Sequence, residues 1–145
     1  MINRRNLLAR GAAWCSPFAS SGAFIGVLAQ PQIEEQISLT EARRLHQAGE
    51  AILIDIREPE EFATGVVAGA RLLPMSQLSQ RVSEIPADAT IPVLLICRTQ
   101  NRSSATLRAL RKKLGEQNYA HVRFVQGGMS EWAQRGWPMV QPAKP

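Results

Sequence analysis

Residues 91–115 read IPVLLICRTQNRSSATLRALRKKLG. Ile91 to Ile96 is a short, continuously apolar run, the pattern of a strand buried on both faces. Its Pro92 stands near the start, where a strand tolerates proline. Leu107, Leu110 and Leu114 then recur at spacings of three and four, which predicts a helix that Gly115 ends. Between strand and helix lies Cys97, followed by Arg98, Thr99, Gln100, Asn101 and Arg102, with Ser103 expected to open the helix. A strand feeding a helix through a short polar loop is half of a parallel α/β unit, and such sheets collect function at the carboxyl ends of their strands.

The flanking sequence repeats the alternation. Ser38-Leu39-Thr40-Glu41 reads as a capping box, with Leu39, Ala42 and Leu45 as the apolar stripe and Gly49 as the stop. Residues 51–56, AILIDI, predict a second buried strand. Pro59 opens a brief helix through Phe62 that Gly65 ends. Residues 71–73 form a short strand candidate. Ser76 is placed to cap a helix carrying Leu78, Val82 and Ile85, with Pro86 stopping it. Residues 122–125 predict another strand, and Gly127-Gly128 leads into a short helix with Trp132. Three points fall at strand ends: Asp55 to Arg57, the Cys97 loop, and Gln126 to Gly128.

The loop has the composition of an anion cradle. A tight return of the chain points backbone N–H groups inward, the helix beyond adds its unpaired amides, and Arg98 and Arg102 add full charges. Each of these favours a thiolate over a thiol. The alternative is a buried structural cysteine, which free cysteines often are, but a core cysteine is not normally followed by Arg-Thr-Gln-Asn-Arg-Ser-Ser. His46 and His121 have no comparable setting and read as structural or surface residues. Arg108, Arg111, Lys112 and Lys113 read as a solvated face that complements the helix dipole, rather than a binding patch.

Charge separates the chain into two parts. Residues 1–29 hold Arg4, Arg5 and Arg10 and no acid; the remainder holds 14 basic and 12 acidic residues, a near balance that gives the high pI little meaning for nucleic-acid binding. The uncharged stretch from Gly11 to Ala29 ends in Val27-Leu28-Ala29, small residues where a signal peptidase cuts. MINRRNLLAR resembles a twin-arginine export signal, departing from it at Asn3 and Ala9. The expected organisation is a signal peptide over 1–29, a linker over 30–36 and one domain over 37–140, in a periplasmic or exported protein. The general secretory route and retention as an anchor stay open, but Ser16-Pro17 and Ser20-Ser21-Gly22 make the stretch a poor permanent span. Trp14 is the wrong size for lipid modification at Cys15. Cleavage after Ala29 leaves Cys97 as the one cysteine, with no internal disulfide and no metal-ligand spacing.

These residues resemble the rhodanese family of sulfurtransferases over about residues 37–138. The match includes Asp55, Arg57, Glu61 and Phe62 as an Asp-x-Arg-x-x-x-Glu-Phe pattern, the pair Gly69-Ala70, the loop CRTQNRSS, and GGMSEW near the C-terminus. The resemblance implies a five-stranded parallel sheet flanked by helices. It implies that Cys97 takes the outer sulfur of a donor such as thiosulfate, holds it as a persulfide, and passes it to cyanide or a thiol, with no cofactor and no metal. Arg98 to Ser103 become the loop around that sulfur, Arg98 and Arg102 the cations able to hold an anionic donor, and Asp55 and Arg57 its support. A low-turnover sulfur-delivery module with protein donors and acceptors is the alternative.

Two positions leave the pattern. The fourth loop position is usually glycine and here is Gln100; if it needs a positive φ, glutamine costs about 1 kcal/mol, unless the loop turns differently or Gln100 lines the pocket. Val66 stands where the family usually has histidine, which argues against a polar role there. Phosphatases of this fold separate cysteine and arginine by five residues. Only four lie between Cys97 and Arg102, a tighter loop that favours sulfur over a phosphoryl group.

Overall fold

The computed structural model describes residues 34–142. The expected signal peptide and residues 30–33 of the expected linker lie outside them. Five strands form one parallel sheet: β1 (Gln36–Ile37), β2 (Ile52–Asp55), β3 (Arg71–Leu72), β4 (Val93–Ile96) and β5 (Val122–Val125), in the order β1-β5-β4-β2-β3. The helices are α1 (Leu39–Gln47), α2 (Pro59–Phe62), α3 (Leu78–Arg81), α4 (Asn101–Leu114) and α5 (Gly128–Gln134). The α/β class with a five-stranded parallel sheet flanked by helices is thus the observed fold.

β4 is central and buried at every residue. Its side chains alternate between two cores, as a period of two requires. Val93, Leu95 and, continuing the phase, Cys97 pack with Ile54 of the neighbouring strand, with Ile56 just beyond it, and with Leu107 and Leu110 of α4. Leu94 and Ile96 face the other way, onto Leu39 and Ala42 of α1 and Met129 and Trp132 of α5. Each fully buried aliphatic side chain contributes about 1.5–3 kcal/mol, so the sheet's centre is its most firmly placed part. Cys97 is carried at its carboxyl end.

Four readings of the sequence change here. β1 was not expected: a two-residue strand leaves no periodicity to detect. It exists because β5 offers its edge, with Phe124 N–H donating to the Glu35 carbonyl (2.8 Å) and Gln126 N–H to that of Ile37 (3.0 Å). The sheet therefore takes in Gln36 from the expected linker. The single helix expected between Ser76 and Pro86 is instead a 3-10 turn (Met75–Gln77), the four-residue α3, and a second 3-10 turn (Val82–Glu84). Ser76 does not cap it, because its N–H and hydroxyl donate to the Glu58 carboxylate at 3.1 and 2.8 Å. Successive tight turns still bring Leu78, Val82 and Ile85 to the core. α4 begins at Asn101, two residues before Ser103.

Arg111 is the fourth correction. It is buried, not solvated, and donates to the carbonyls of Tyr119 (3.3 Å) and Val122 (3.1 Å) while pairing with Glu35 (3.1 Å). One guanidinium so ties α4 to the start of β5 and to the residue before β1. Arg108, Lys112 and Lys113 are exposed, as expected of a solvated face. At the other end, Val66 is buried and exchanges both backbone hydrogen bonds with Val140, an apolar closure in keeping with the valine.

Replacing Arg111 by leucine leaves two buried carbonyls without donors, each worth about 1–3 kcal/mol. Urea denaturation is expected to show a loss of at least about 2 kcal/mol for Arg111→Leu, against less than about 0.5 kcal/mol for Lys112→Ala.

Candidate active site

β4 ends at Ile96, and the chain turns through Cys97 to Gln100 into α4. Because α4 starts at Asn101, Ser103 is its third residue, whose N–H has no intrahelical acceptor. That N–H meets the Cys97 sulfur at 3.4 Å, and the Ser103 hydroxyl lies at the same 3.4 Å from it. The hydroxyl donates in turn to the Gln100 carbonyl at 3.1 Å. An orphan amide of a 14-residue helix is thus aimed at the sulfur, in the position that favours negative charge.

The other side of the loop is held by α5. Met129 N–H donates to the Cys97 carbonyl (2.9 Å) and Ser130 N–H to the Arg98 carbonyl (2.8 Å). A side chain at Gly128 would collide with the carbonyl oxygens of Cys97, Arg98 and Thr99, and the residue adopts φ +61°; only glycine permits this approach. In a trans peptide the carbonyl of one residue and the N–H of the next point in opposite directions. Turning the Cys97 and Arg98 carbonyls toward α5 therefore turns the N–H groups of Arg98 and Thr99 away from it. Among the described residues, none of the N–H groups of Arg98 to Arg102 donates to a protein acceptor. The loop keeps a run of donors open.

Gln100 adopts φ −163°. That is extended backbone, so the left-handed cost considered for glutamine does not arise. Its side-chain oxygen accepts from Gly127 N–H at 3.2 Å, a third tie between loop and β5–α5 turn that glycine could not make.

The two loop arginines differ. Arg102 makes a two-pronged pair with Glu61, both contacts at 2.6 Å. Those hydrogen bonds are the main reason the Glu61 carboxyl sits at about 2, and the same partner raises Arg102 above its ordinary value. Arg98 is exposed, and among the described residues it has no ion-pair partner. It borders a hollow of about 350 Å³ with Thr64, Met129 and Ser130. Of the two cations expected to hold an anionic donor, the structure leaves Arg98 available and commits Arg102 to Glu61.

Asp55 and Arg57 support the loop indirectly. Arg57, 3% exposed, is gripped by both Asp55 oxygens, the shortest contact being 2.6 Å. It also donates to the carbonyls of Glu61 (3.1 Å) and Gly65 (2.8 Å) and to the Thr64 hydroxyl (3.2 Å). The buried pair fixes the turn that presents Glu61, and Glu61 holds Arg102. Glu61 is therefore a site residue that the sequence reading left in the motif without a task. So are Gly128, Met129 and Ser130, whose signal was the double glycine at a strand end. The histidines lie elsewhere: His46 bonds the Ala68 carbonyl and His121 that of Pro86, each at 2.8 Å. Cys97 itself is 1% exposed. It is a core side chain and a loop nucleophile candidate at once.

A family model, the Rhodanese-like domain, matches residues 38–135. The chain belongs to the rhodanese-like family. A protein of Allochromatium vinosum named Sulfurtransferase is 37% identical over 101 residues, covering 70% of this rhodanese-like chain and 89% of its own. The YqhL protein of Bacillus subtilis is 37% identical over 110 residues, covering 74% and 82%. The crystal structure of a rhodanese-related protein from Thermoplasma volcanium superposes with a TM-score of 0.59 at 27% identity, over 74% of this chain and 99% of that one.

The Glu61–Arg102 pair has a pH signature. The folded-state value of about 2 lies below the ordinary 4.5, so the pair's contribution is complete above about 4.5 and is lost as pH falls toward 2. Glu61→Gln is expected to be less stable than the wild type at neutral pH. Urea titrations at stepped pH should show that deficit shrinking between pH 4.5 and 2; a pH-independent deficit would remove the ion pair as its cause.

Proposed function

We propose that this chain is a sulfurtransferase that carries a sulfane sulfur on Cys97. The supporting observation is the Cys97 sulfur at a central strand end, met by an orphan helix amide and adjoining a run of loop N–H groups that meet no acceptor among the described residues. In the first step the Cys97 thiolate attacks the outer sulfur of thiosulfate. The bond between the two donor sulfurs breaks, sulfite leaves with the electron pair, and Cys97 becomes a persulfide. In the second, cyanide or a thiolate attacks the outer persulfide sulfur, and Cys97 departs as the thiolate. No oxidant, metal or cofactor enters either step.

The loop N–H groups serve the persulfide anion, whose charge the preorganised donors stabilise without reorganisation. Arg98, the loop cation with no ion-pair partner among the described residues, attracts the dianionic donor. Thr99, Asn101 and Ser103 complete the wall, and Gln100 ties it to Gly127. Arg102, occupied by Glu61, acts as a positioning residue. This commitment also weighs against a phosphatase, which needs its loop arginine free for phosphate. The burial of Cys97 favours a second reading, a sulfur-delivery module of low turnover, in which a protein partner moves the loop.

The purified protein is expected to form thiocyanate from thiosulfate and cyanide, and Cys97→Ala to form none. Mass spectrometry after thiosulfate treatment should find one additional sulfur on Cys97. Equal thiocyanate formation by both proteins overturns the reading. A stable persulfide with negligible turnover selects the delivery module.

Residues 1–29 supply a separate proposal, that the protein works outside the cytoplasm, on the strength of paired Arg4-Arg5, the uncharged stretch and Val27-Leu28-Ala29. Cell fractionation should recover a shortened chain beginning near Gln30 in the periplasm. Recovery of the full-length chain in the cytoplasm rejects export.

A further inference from the structure

We propose that Gln100 is a positioning residue, which keeps α4 uncapped so that the Ser103 amide stays with the Cys97 sulfur. An ordinary N-cap residue has extended backbone, and its side-chain oxygen accepts the N–H of the second or third helical residue. α1 follows that rule: Ser38, with ψ 150°, accepts from Glu41 N–H at 3.2 Å. α4 departs from it. Gln100, the residue before its first turn, has ψ −12° and makes no side-chain bond to the helix. Its side-chain oxygen accepts from Gly127 N–H instead. The amide that a cap would take, that of the third helical residue Ser103, meets the Cys97 sulfur. The sulfur thus occupies the acceptor place of an N-cap oxygen.

Glutamine suits this arrangement. Asn, Asp, Ser and Thr are the strong N-cap residues because a short side chain brings its oxygen back to the helix amides. The longer arm of Gln100, exposed at the surface, reaches across to the β5–α5 turn. Holding the arm there holds the backbone out of the capping conformation. The first intrahelical bond, from Ser104 N–H to the Gln100 carbonyl at 2.9 Å, is kept, and the same carbonyl accepts from the Ser103 hydroxyl. Gln100 therefore starts the helix through its carbonyl while its side chain leaves the helix amides alone. An ionised acceptor makes the stronger hydrogen bond, so the Ser103 amide does more for a thiolate than for a thiol.

Two substitutions separate the parts of this arrangement. Gln100→Ser removes the tie to Gly127 and offers a hydroxyl of capping length at the helix start. That hydroxyl competes with the sulfur for the Ser103 N–H, and the thiolate loses a donor. Gln100→Ala removes the tie and offers no competitor. The charged groups bordering the loop are common to both: Arg98 and Arg102 on it, Glu61 of α2 beside Arg102, and Glu131 of α5 paired with Arg135. A difference between the two variants therefore reports the amide. The inference deepens the sulfurtransferase reading, on which its meaning for catalysis rests, but its measurement needs no sulfur donor.

The test follows the ultraviolet absorbance of the thiolate in full-length protein through a pH titration, as the difference from Cys97→Ala. Gln100→Ser is expected to lower the thiolate-to-thiol ratio of Cys97 roughly tenfold at a given pH, about the least that one hydrogen bond to a charged group is worth, with Gln100→Thr following it. Gln100→Ala should lower it less than about threefold. A serine variant with the wild-type ratio overturns the proposal, as does an alanine variant that loses as much as the serine one. In single-turnover uptake of sulfur from thiosulfate, Gln100→Ser should be slowed near neutral pH and regain the wild-type rate as rising pH fills the thiolate. A deficit that persists at every pH overturns the positioning role. A wild type that takes up no sulfur removes the sulfurtransferase reading and leaves the thiolate comparison to decide the role of Gln100. An unchanged ratio in a chain that does take up sulfur removes that role alone.

Discussion

The close approach of α5 to the backbone of Cys97, Arg98 and Thr99 is the constraint on which the site depends. Two amides of α5 take the loop's carbonyls, and the peptide planes then carry the loop's own amides to the opposite side. The device needs no charged residue. It needs a missing Cβ at Gly128, since any side chain there would meet three carbonyl oxygens. The open run of amides in this loop is thus arranged at a distance, by an element some thirty residues further along the chain.

A second support approaches from the other flank. Asp55 and Arg57 form a buried pair, a costly arrangement unless every donor is matched. Here the guanidinium is matched by two carboxylate oxygens, two carbonyls and a hydroxyl. The return on that arrangement is geometric. It fixes the turn around the four-residue α2, and the turn delivers Glu61 to Arg102. Loop charge is thereby halved: one arginine is neutralised in a partly buried pair, and the other faces solvent.

Much of this was legible in the sequence where physics leaves a local trace. Short apolar runs marked β2 and β4, residues 122–125 were legible as β5, and spaced leucines marked α4. Cys97 stood out because its neighbours contradict a core setting. What was not legible depended on partners distant in the chain. β1 is two residues recruited by an edge. Arg111 looks like any cation in a basic helix end until β5 places two carbonyls beside it. Glu61 and Arg102 lie 41 residues apart, and nothing near either names the other. The start of α4 was misjudged because Asn101 and Arg102 read equally well as loop or first turn. Gln100, the residue that departs from the family pattern, needs no left-handed backbone.

The alternation that places Val93 and Leu95 in the core carries on to Cys97 and sinks its sulfur beneath α4. Oxidation of cysteine by peroxide and similar agents follows exposure as well as thiolate character. A thiol packed among leucines is sheltered from that damage, wherever the protein works, even while a helix amide points at its sulfur. Packing and reactivity are usually opposed demands on a cysteine. In this chain the strand phase that buries the Cys97 sulfur also sets it against the Ser103 amide.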